Sequence, residues 1–111
     1  MANCKRRYRS RIQIAADILE IARNGSRKTK IMYLGNLSFD LLRRYLDMLA
    51  THGLIEFRNP ENSYVATDKG RRFLEEYHEL QKYSEMVETK KRVLETTLSL
   101  GAYEETTARA V

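Results

Sequence analysis

The chain of 111 residues is 42% hydrophobic and 32% charged, which is enough for one small domain with an extension but not for a large core. Its formal net charge is +5, and residues 1 to 35 carry nine Lys and Arg against Asp17 and Glu20, a local charge of +7. A segment of that sign attracts polyanions, with nucleic acid the commonest candidate and an acidic membrane surface second. The single cysteine, Cys4, excludes an intramolecular disulfide and a metal site built on cysteines.

Secretion, membrane insertion, cofactor binding and catalysis find little support in the sequence. The residues after Met1 lead into no apolar signal region, and no run of apolar residues reaches the roughly 18 that a membrane span needs. His52 and His78 lie far apart in the chain without companion ligands, so we expect no metal site. No glycine-rich phosphate loop, paired-carboxylate site or nucleophile beside a base is present. We therefore expect a cytoplasmic protein that is not an enzyme and has no cofactor or small-molecule ligand.

Residues 1 to 9 are predicted to form a basic N-terminal arm. The arm contains Lys5, Arg6, Arg7 and Arg9. Because the positive charge of the chain is concentrated here, we predict that Arg7 and Arg9 contact nucleic acid. A solvated, disordered terminus without a partner is the alternative.

A first helix is predicted from about Ser10 to Asn24, where Asn24 and Gly25 supply a C-terminal stop. Its apolar residues recur at helical spacing, and the stripe that should face the core comprises Ile14, Ala15, Ile18, Leu19, Ile21 and Ala22.

A second, short helix is predicted over residues 28 to 34, with Ser26 as its cap. Ile31 and Leu34 should face the core, whereas Lys28, Lys30 and Tyr33 should stay accessible. Gly35 and Asn36 then form a turn, because both tolerate a positive φ.

Ser38 is predicted to cap a third helix that runs to His52. Its inward stripe comprises Leu42, Tyr45, Leu46 and Leu49, and its opposite face carries Asp40, Arg43, Arg44 and Asp47. Gly53 ends the helix, and two short strands follow, residues 54 to 57 and 63 to 66, around a turn at residues 59 to 62. The order of these elements predicts a winged helix-turn-helix domain over residues 10 to 66.

Thr67 and Asp68 open a fourth helix, since Thr67 can cap it and Asp68 lies at its positive N-terminal end. No proline follows, so residues 67 to 100 can form one helix of about 50 Å at 1.5 Å per residue. One seam is sustained at alternating spacings of four and three, and its members are Phe73, Tyr77, Leu80, Ser84, Val87, Lys91, Leu94 and Leu98. The seam predicts a coiled-coil homodimer, with packing back on its own domain as the alternative. Residues 101 to 111 are predicted to fray.

The seam also indicates the direction of pairing. A parallel dimer would set Lys91 against Lys91, and the two ammonium groups would repel. An antiparallel dimer centred near residues 85 and 86 sets Lys91 against Leu80, where its stem can pack while its charge reaches water. It also sets Ser84 against Val87, Tyr77 against Leu94 and Phe73 against Leu98. We therefore predict an antiparallel coiled coil.

Several runs of residues resemble the archaeal winged-helix proteins of the Sulfolobus ten-a (10a) type. They are residues 29 to 33, 36 to 42, 45 to 46, 53 to 56 and 67 to 70, with sequences TKIMY, NLSFDLL, YL, GLIE and TDKG. The resemblance covers residues 7 to about 80, and only the heptad spacing agrees beyond that. It implies an archaeal or archaeal-virus origin, a mainly helical fold with a small β-hairpin, and an antiparallel coiled-coil dimer. It also implies binding to double-stranded DNA, in a regulatory or chromatin role that would be nucleoid-associated.

The resemblance implies a DNA contact for three groups of residues. The third helix would enter the major groove with Ser38, Phe39, Asp40, Arg43 and Arg44. Phosphates would be held by Lys28, Thr29, Lys30 and Tyr33 of the second helix. The wing would reach an adjacent backbone or minor groove through Arg58, Asn59 and Asn62. Asp40 and Asp47 depart from an all-basic surface, and indicate either selective contacts or pairing of Asp40 with Arg43 or Arg44.

A different class of function remains open. A winged-helix domain can serve as an adaptor whose long helix recruits another protein, with its basic surface serving only solubility. Saturable, salt-dependent binding to duplex DNA would separate a DNA-binding homodimer from such an adaptor.

Overall fold

The computed structural model describes residues 9 to 99 with their side chains, and the backbone of the last helix as far as Arg109. The elements in chain order are α1 (Arg11–Ile21), β1 (Ser26–Arg27), α2 (Lys28–Gly35), α3 (Phe39–Thr51), β2 (Ile55–Arg58), β3 (Ser63–Ala66) and α4 (Asp68–Arg109). The chain divides into two compact units between Tyr77 and His78. We call the first unit the head. No helix within the described part of the chain is both long and apolar enough to cross a membrane.

Helix α1 begins and packs as its sequence predicts. The Ser10 hydroxyl accepts a hydrogen bond from the Gln13 amide at 3.1 Å, which satisfies one of the free amides at the start of the helix. The predicted stripe is buried except for Ile21, which is half-buried. Its side chains form one wall of the core, together with Ile31, Leu42, Leu49, Ile55 and Leu74.

The sheet has three strands in the order β1-β3-β2, one more than the predicted hairpin. Ser26 does not cap α2 as predicted. Together with Arg27 it forms β1, which pairs antiparallel with β3 through Ser26 with Tyr64 and Arg27 with Ser63. The Ser26 hydroxyl instead donates to the Ile21 carbonyl at 2.8 Å. Arg27 takes the cap position of α2, because the extended backbone that a cap residue needs is here also the backbone of the strand. Its guanidinium can only donate hydrogen bonds, so it makes no side-chain cap bond.

In α2, the prediction that Leu34 faces the core is wrong, since its side chain is 54% exposed. Ile31 and Gly35 are the buried residues of this helix, four positions apart on one face. A Cβ on Gly35 would lie 3.1 Å from Cδ1 of the buried Leu37, so the missing side chain gives Leu37 its room. Asn36 ends the helix at φ +54°, as the turn prediction requires.

Helix α3 and its stop agree with the sequence. The Ser38 hydroxyl accepts from the Leu41 amide at 3.2 Å, and the helix ends at Thr51 with His52 as its C-cap. Leu42, Leu46 and Leu49 are buried, and Tyr45 is half-buried beside them. The chain then reverses through Gly53 at φ +73°, a conformation that favours glycine.

The hairpin and the start of α4 are joined by a compact set of contacts. Strand β2 is displaced by one residue from its predicted bounds, whereas β3 has them unchanged. The Thr67 hydroxyl donates to the Gly53 carbonyl at 2.6 Å and accepts from the Gly70 amide at 3.1 Å. A Cβ on Gly70 would overlap the Leu54 carbonyl oxygen. The sequence TDKG thus holds the first turn of α4 directly against the chain that enters the wing.

Helix α4 has 42 residues and is longer than its sequence predicts. Residues 101 to 109, predicted to fray, continue the helix to Arg109; Ala110 and Val111 lie outside the described residues. Its first turns belong to the head, because Leu74 is fully buried and Phe73 and Tyr77 pack against the same core. Two members of the predicted seam, Phe73 and Tyr77, therefore already have apolar neighbours within their own chain.

Candidate nucleic-acid interface

The exposed face of α3 presents Ser38, Phe39, Asp40, Arg43, Arg44 and Asp47, all accessible to solvent as predicted. Arg43 and Asp40 form a long ion pair of 3.9 Å, and their side chains are 60% and 81% exposed. Exposed pairs of this kind contribute well under about 1 kcal/mol, so the pair does not hold the guanidinium back from another anion. Arg44 forms no ion pair with any residue that the structure describes.

The starts of α2 and α3 lie side by side. The Lys28 ammonium group sits over the Phe39 ring, 4.7 Å from its centroid, which is the geometry of a cation–π contact. Phe39 is nevertheless 53% exposed, so part of its ring remains accessible. The contact fixes one positive charge beside the first turn of α3, where sequence spacing alone does not place it.

A polar groove runs between the start of α2 and the wing. Among the residues that line it are Arg27, Thr29, Lys30 and Arg58, together with Glu61. Arg58 lies at the end of β2 and forms an ion pair of 2.9 Å with Glu56 on the same strand. Sequence reasoning missed Arg27, because its position as a strand residue facing this groove depends on the pairing of β1 with β3. The groove gathers three cations from α2, β1 and the wing.

The remaining predicted contacts on α2 and the wing are exposed. Thr29 and Lys30 are accessible, and Tyr33 is 83% exposed, so this tyrosine is not a core residue. Asn59 and Asn62 lie in the turn between β2 and β3, with Asn62 at φ +54°. Behind the turn, the Tyr64 ring packs against the Phe57 ring, with 4.9 Å between their centroids, and this contact joins β3 to β2 at the base of the wing.

Arg9 has a structural position that the prediction of a phosphate contact did not foresee. Its guanidinium donates to the Asp17 carboxylate at 2.6 Å and to the backbone carbonyls of Gly35 and Asn36 at 2.8 and 3.3 Å. The side chain is only 22% exposed. Arg9 therefore ties α1 to the turn between α2 and α3, and its charge is already compensated within the head. Arg7, the other predicted contact of the arm, lies outside the described residues.

The pKa of Tyr77 is raised above the ordinary tyrosine value, because partial burial and the nearby Asp17 carboxylate both disfavour a phenolate.

Within residues 9 to 99, no group of three His, Cys, Asp or Glu side chains lies close enough together to hold a metal ion.

The part of α4 that follows the head, residues 78 to 99, carries an apolar surface. The seam residues Leu80, Val87, Leu94 and Leu98 are 48% to 68% exposed. Ser84 and Lys91 between them are exposed too, and Lys91 lies 4.0 Å from Glu88. Tyr83, Met86 and Val93 add further exposed apolar side chains beside the seam, which the heptad assignment did not include.

Comparison with known proteins assigns the chain to a family. The winged helix-turn-helix family model matches residues 8 to 85. An uncharacterized protein of Methanocaldococcus jannaschii is 35% identical over 80 residues, which cover 70% of this chain and 80% of that protein. A second uncharacterized protein of the same organism is 36% identical over 73 residues, which cover 65% of this chain but only 34% of that longer protein.

The fold is also similar to the crystal structure of Sso10a-2, a DNA-binding protein from Sulfolobus solfataricus. The TM-score is 0.74 at 23% sequence identity, and the match covers 81% of this chain and 97% of that one. The fold expected from the resemblance to the ten-a proteins is thus confirmed. The chain belongs to the winged helix-turn-helix family and has the fold of the Sulfolobus ten-a proteins.

Proposed function

We propose that this protein binds double-stranded DNA as a homodimer, with α3 as its recognition helix. The observation that carries the proposal is the cationic surface around α3. Arg43 and Arg44 lie on its exposed face, Lys28 is held beside its first turn, and Lys30 and Arg58 line the groove next to the wing. A helix with side chains fits the major groove, and cations on both sides of it match the two flanking phosphate backbones.

The residues of this surface divide the work between positioning and reading. Lys28, Thr29, Lys30 and Tyr33 of α2 contact phosphates on one side of the groove, together with Arg27 of β1. Arg58, Asn59 and Asn62 of the wing reach the adjacent backbone or minor groove. Arg43 and Arg44 reach either phosphate or a guanine edge, because guanidinium binds both in a bidentate manner. Ser38, Phe39 and Asp40 lie where the start of α3 meets the bases.

The two aspartates on α3 make the surface selective rather than uniformly adhesive. Asp40 and Asp47 are exposed on the face that carries Arg43 and Arg44. A carboxylate repels phosphate but accepts a hydrogen bond from the amino group of cytosine. The proposal therefore favours a transcriptional regulator or a nucleoid-associated protein with some sequence preference over a protein that coats DNA without one.

Dimerisation through α4 follows from its exposed apolar surface. From Leu80 to Leu98, no described residue covers the seam. Exposure to water of a continuous apolar surface along a helix is energetically unfavourable. An antiparallel pair would cover it. Sso10a-2, whose fold this chain shares, is itself a DNA-binding protein, which supports the DNA part of the proposal.

An adaptor role is the second candidate, and one observation favours it. Tyr33 and Leu34 are neighbours on α2 and are 83% and 54% exposed, an aromatic and aliphatic pair that another protein could cover. An adaptor of this kind would use the head for a protein partner and would have no need of DNA.

Titration of the full chain with mixed-sequence duplexes at several salt concentrations tests the proposal. If each head engages about 6 to 10 phosphates, the logarithm of the association constant falls with the logarithm of salt concentration at a slope of roughly −5 to −9. An adaptor would show no saturable binding even in dilute buffer. That second result would refute DNA binding.

A further inference from the structure

An apolar groove lies on the head, away from the residues proposed to contact DNA. Its walls are built by α1, the end of α3 and the first turns of α4. The volume is about 350 Å³, and the groove is lined by Arg11, Ile12, Ala15, Met48, Leu49, His52, Leu54 and Phe73. None of the residues proposed to contact DNA lines it.

Ile12 shows that the groove is not closed by the head itself. It lies in the first turn of α1 and is 50% exposed, although isoleucine is among the residues most often buried. Phe73, on the opposite wall, is half-buried. Arg11 adds one positive charge and reaches the Met48 sulfur at 3.4 Å. The surface is thus apolar with a cationic edge, which suits an apolar segment that carries carboxylates.

Helix α4 continues beyond the last residue of the seam, and this extension is a candidate occupant of the groove. In the antiparallel pairing proposed above, Phe73 lies opposite Leu98 of the partner subunit, so the partner's helix still has residues 99 to 109 to run. At 1.5 Å per residue these span about 16 Å. Helix α4 begins at Asp68, which would pair with position 103 of the partner subunit, so residues 104 to 109 of that helix would extend past the start of α4, whose first turns belong to the head.

The composition of that segment fits the groove. Leu100, Ala102 and Tyr103 are apolar, and Glu104 and Glu105 follow them. Arg11 provides a positive edge to the groove, and Arg72, which precedes Phe73 on the first turns of α4, is exposed. Both are opposite in charge to these glutamates. A segment that is apolar and then acidic in sequence is complementary to a groove that is apolar with a cationic edge.

We infer that the groove on each head receives the C-terminal helical segment of a second copy of this chain, residues 100 to 109. The inference rests on the proposed antiparallel dimer and deepens it. Each head then holds the end of its partner's helix, so that the coiled coil is clamped at both ends. The docking also gives a reason for a helix that continues past the heptad seam.

Sedimentation equilibrium on three variants tests the inference. One ends at Ser99, the second carries Ile12→Glu in the full chain, and the third combines both changes. Gln13→Glu is the matched control, since it adds the same charge at the next position of α1, which is exposed and does not line the groove. We expect the truncation and Ile12→Glu each to raise the dimer dissociation constant by about 10-fold or more. The combination should be no worse than either change alone, because both remove the same docking interaction.

The outcomes separate this inference from the proposed function. A truncated chain that dimerises as tightly as the full chain overturns the docking. So does a loss seen with Ile12→Glu but not with truncation, which would assign the groove to another occupant such as residues 1 to 8 of the same chain. A full chain that stays monomeric at every concentration refutes the dimer itself, whereas a stable dimer insensitive to both changes refutes only the docking.

Discussion

The head buries its large apolar side chains, whereas residues 78 to 99 of α4 expose theirs. In the head, Ile18, Leu19, Ile31, Leu42, Leu49 and Leu74 are fully buried among several elements. From residue 78 to residue 99 every residue is exposed, although this stretch contains seven large hydrophobic side chains. A lone helix gains little stability from its own hydrogen bonds, and most helical stability in proteins comes from packing of an apolar face. The head thus buries most of its large apolar side chains within one chain, whereas those of the helix surface remain exposed.

The largest expected effect falls on the helix surface. Val87→Glu would place a carboxylate in the proposed seam, where it would lose water without gaining a partner, so the dimer should weaken by about 100-fold or more. Thr89→Glu adds the same charge on the opposite side of the helix and should leave the dimer intact. Sedimentation equilibrium measures both variants. An undiminished dimer in Val87→Glu would remove the seam from the interface.

The next effect concerns DNA affinity. Replacing Arg43→Ala and Arg44→Ala together should weaken duplex binding by about 10- to 100-fold, since each guanidinium that engages a base or phosphate contributes on the order of 1 kcal/mol or more. The melting temperature should hardly change, because both side chains are exposed. The matched control is Lys82→Ala with Arg92→Ala, which removes the same charge from α4. A folded double mutant with full affinity would exclude α3 from the interface.

Arg9→Ala should act on the stability of the head rather than on its charge. The change leaves the Asp17 carboxylate and the Gly35 carbonyl without their shared donor, which costs about 1–3 kcal/mol for partly buried groups. Thermal denaturation measures it, and Arg23→Ala, whose ion pair with Glu20 is more exposed, is the control. An unchanged melting temperature together with a large decrease in DNA affinity would assign Arg9 to a phosphate contact instead.

The arm should contribute a smaller and uniform effect. Deletion of residues 1 to 8 removes Lys5, Arg6 and Arg7, and should lower affinity several-fold for all duplexes because phosphate contacts carry no sequence information. The salt slope should become shallower by up to roughly 3, about one for each phosphate that these cations engage. Competition between two duplexes measures preference. A changed preference would show that the arm reads bases.

The smallest effect belongs to Tyr77. Its pKa is raised in the folded head, chiefly by burial, so folding favours the neutral phenol. The stabilisation is fully present below the pKa of an unfolded tyrosine, about 10, and is lost as the pH rises through the folded value. Tyr77→Phe should therefore flatten the decline in melting temperature above pH 10. An equal decline in both proteins would show that this phenol is not the group that titrates.

The contrast between local and long-range signals explains how much the sequence predicts. Helix α3 has the predicted cap at Ser38 and stop before Gly53, because both signals lie within one turn of the helix ends. Strand β1 cannot be predicted from local sequence, since Ser26 and Arg27 form a strand only because they pair with β3. The apolar side chain of Leu34 predicts a core position, whereas Gly35 takes the buried position because the turn brings Leu37 against it.

The candidate site shows the same division. The exposure of Arg43, Arg44, Lys30 and Tyr33 follows from helical spacing, and the sequence predicts it correctly. Arg9 carries the same charge as its neighbours in the arm, but three acceptors from α1 and the turn after α2 engage it, and no local pattern reveals them. Arg27 is the converse case, a cation brought to the groove by strand pairing. Charge can be read along the chain, whereas its availability depends on the fold.

The most direct test of the account is sedimentation of the full chain with and without a mixed duplex in dilute buffer. We expect a species of about twice the 13.0 kDa chain mass, which shifts to a heavier complex when duplex is added and returns as salt is raised. A single chain of 13.0 kDa whose sedimentation is unaffected by duplex would contradict it.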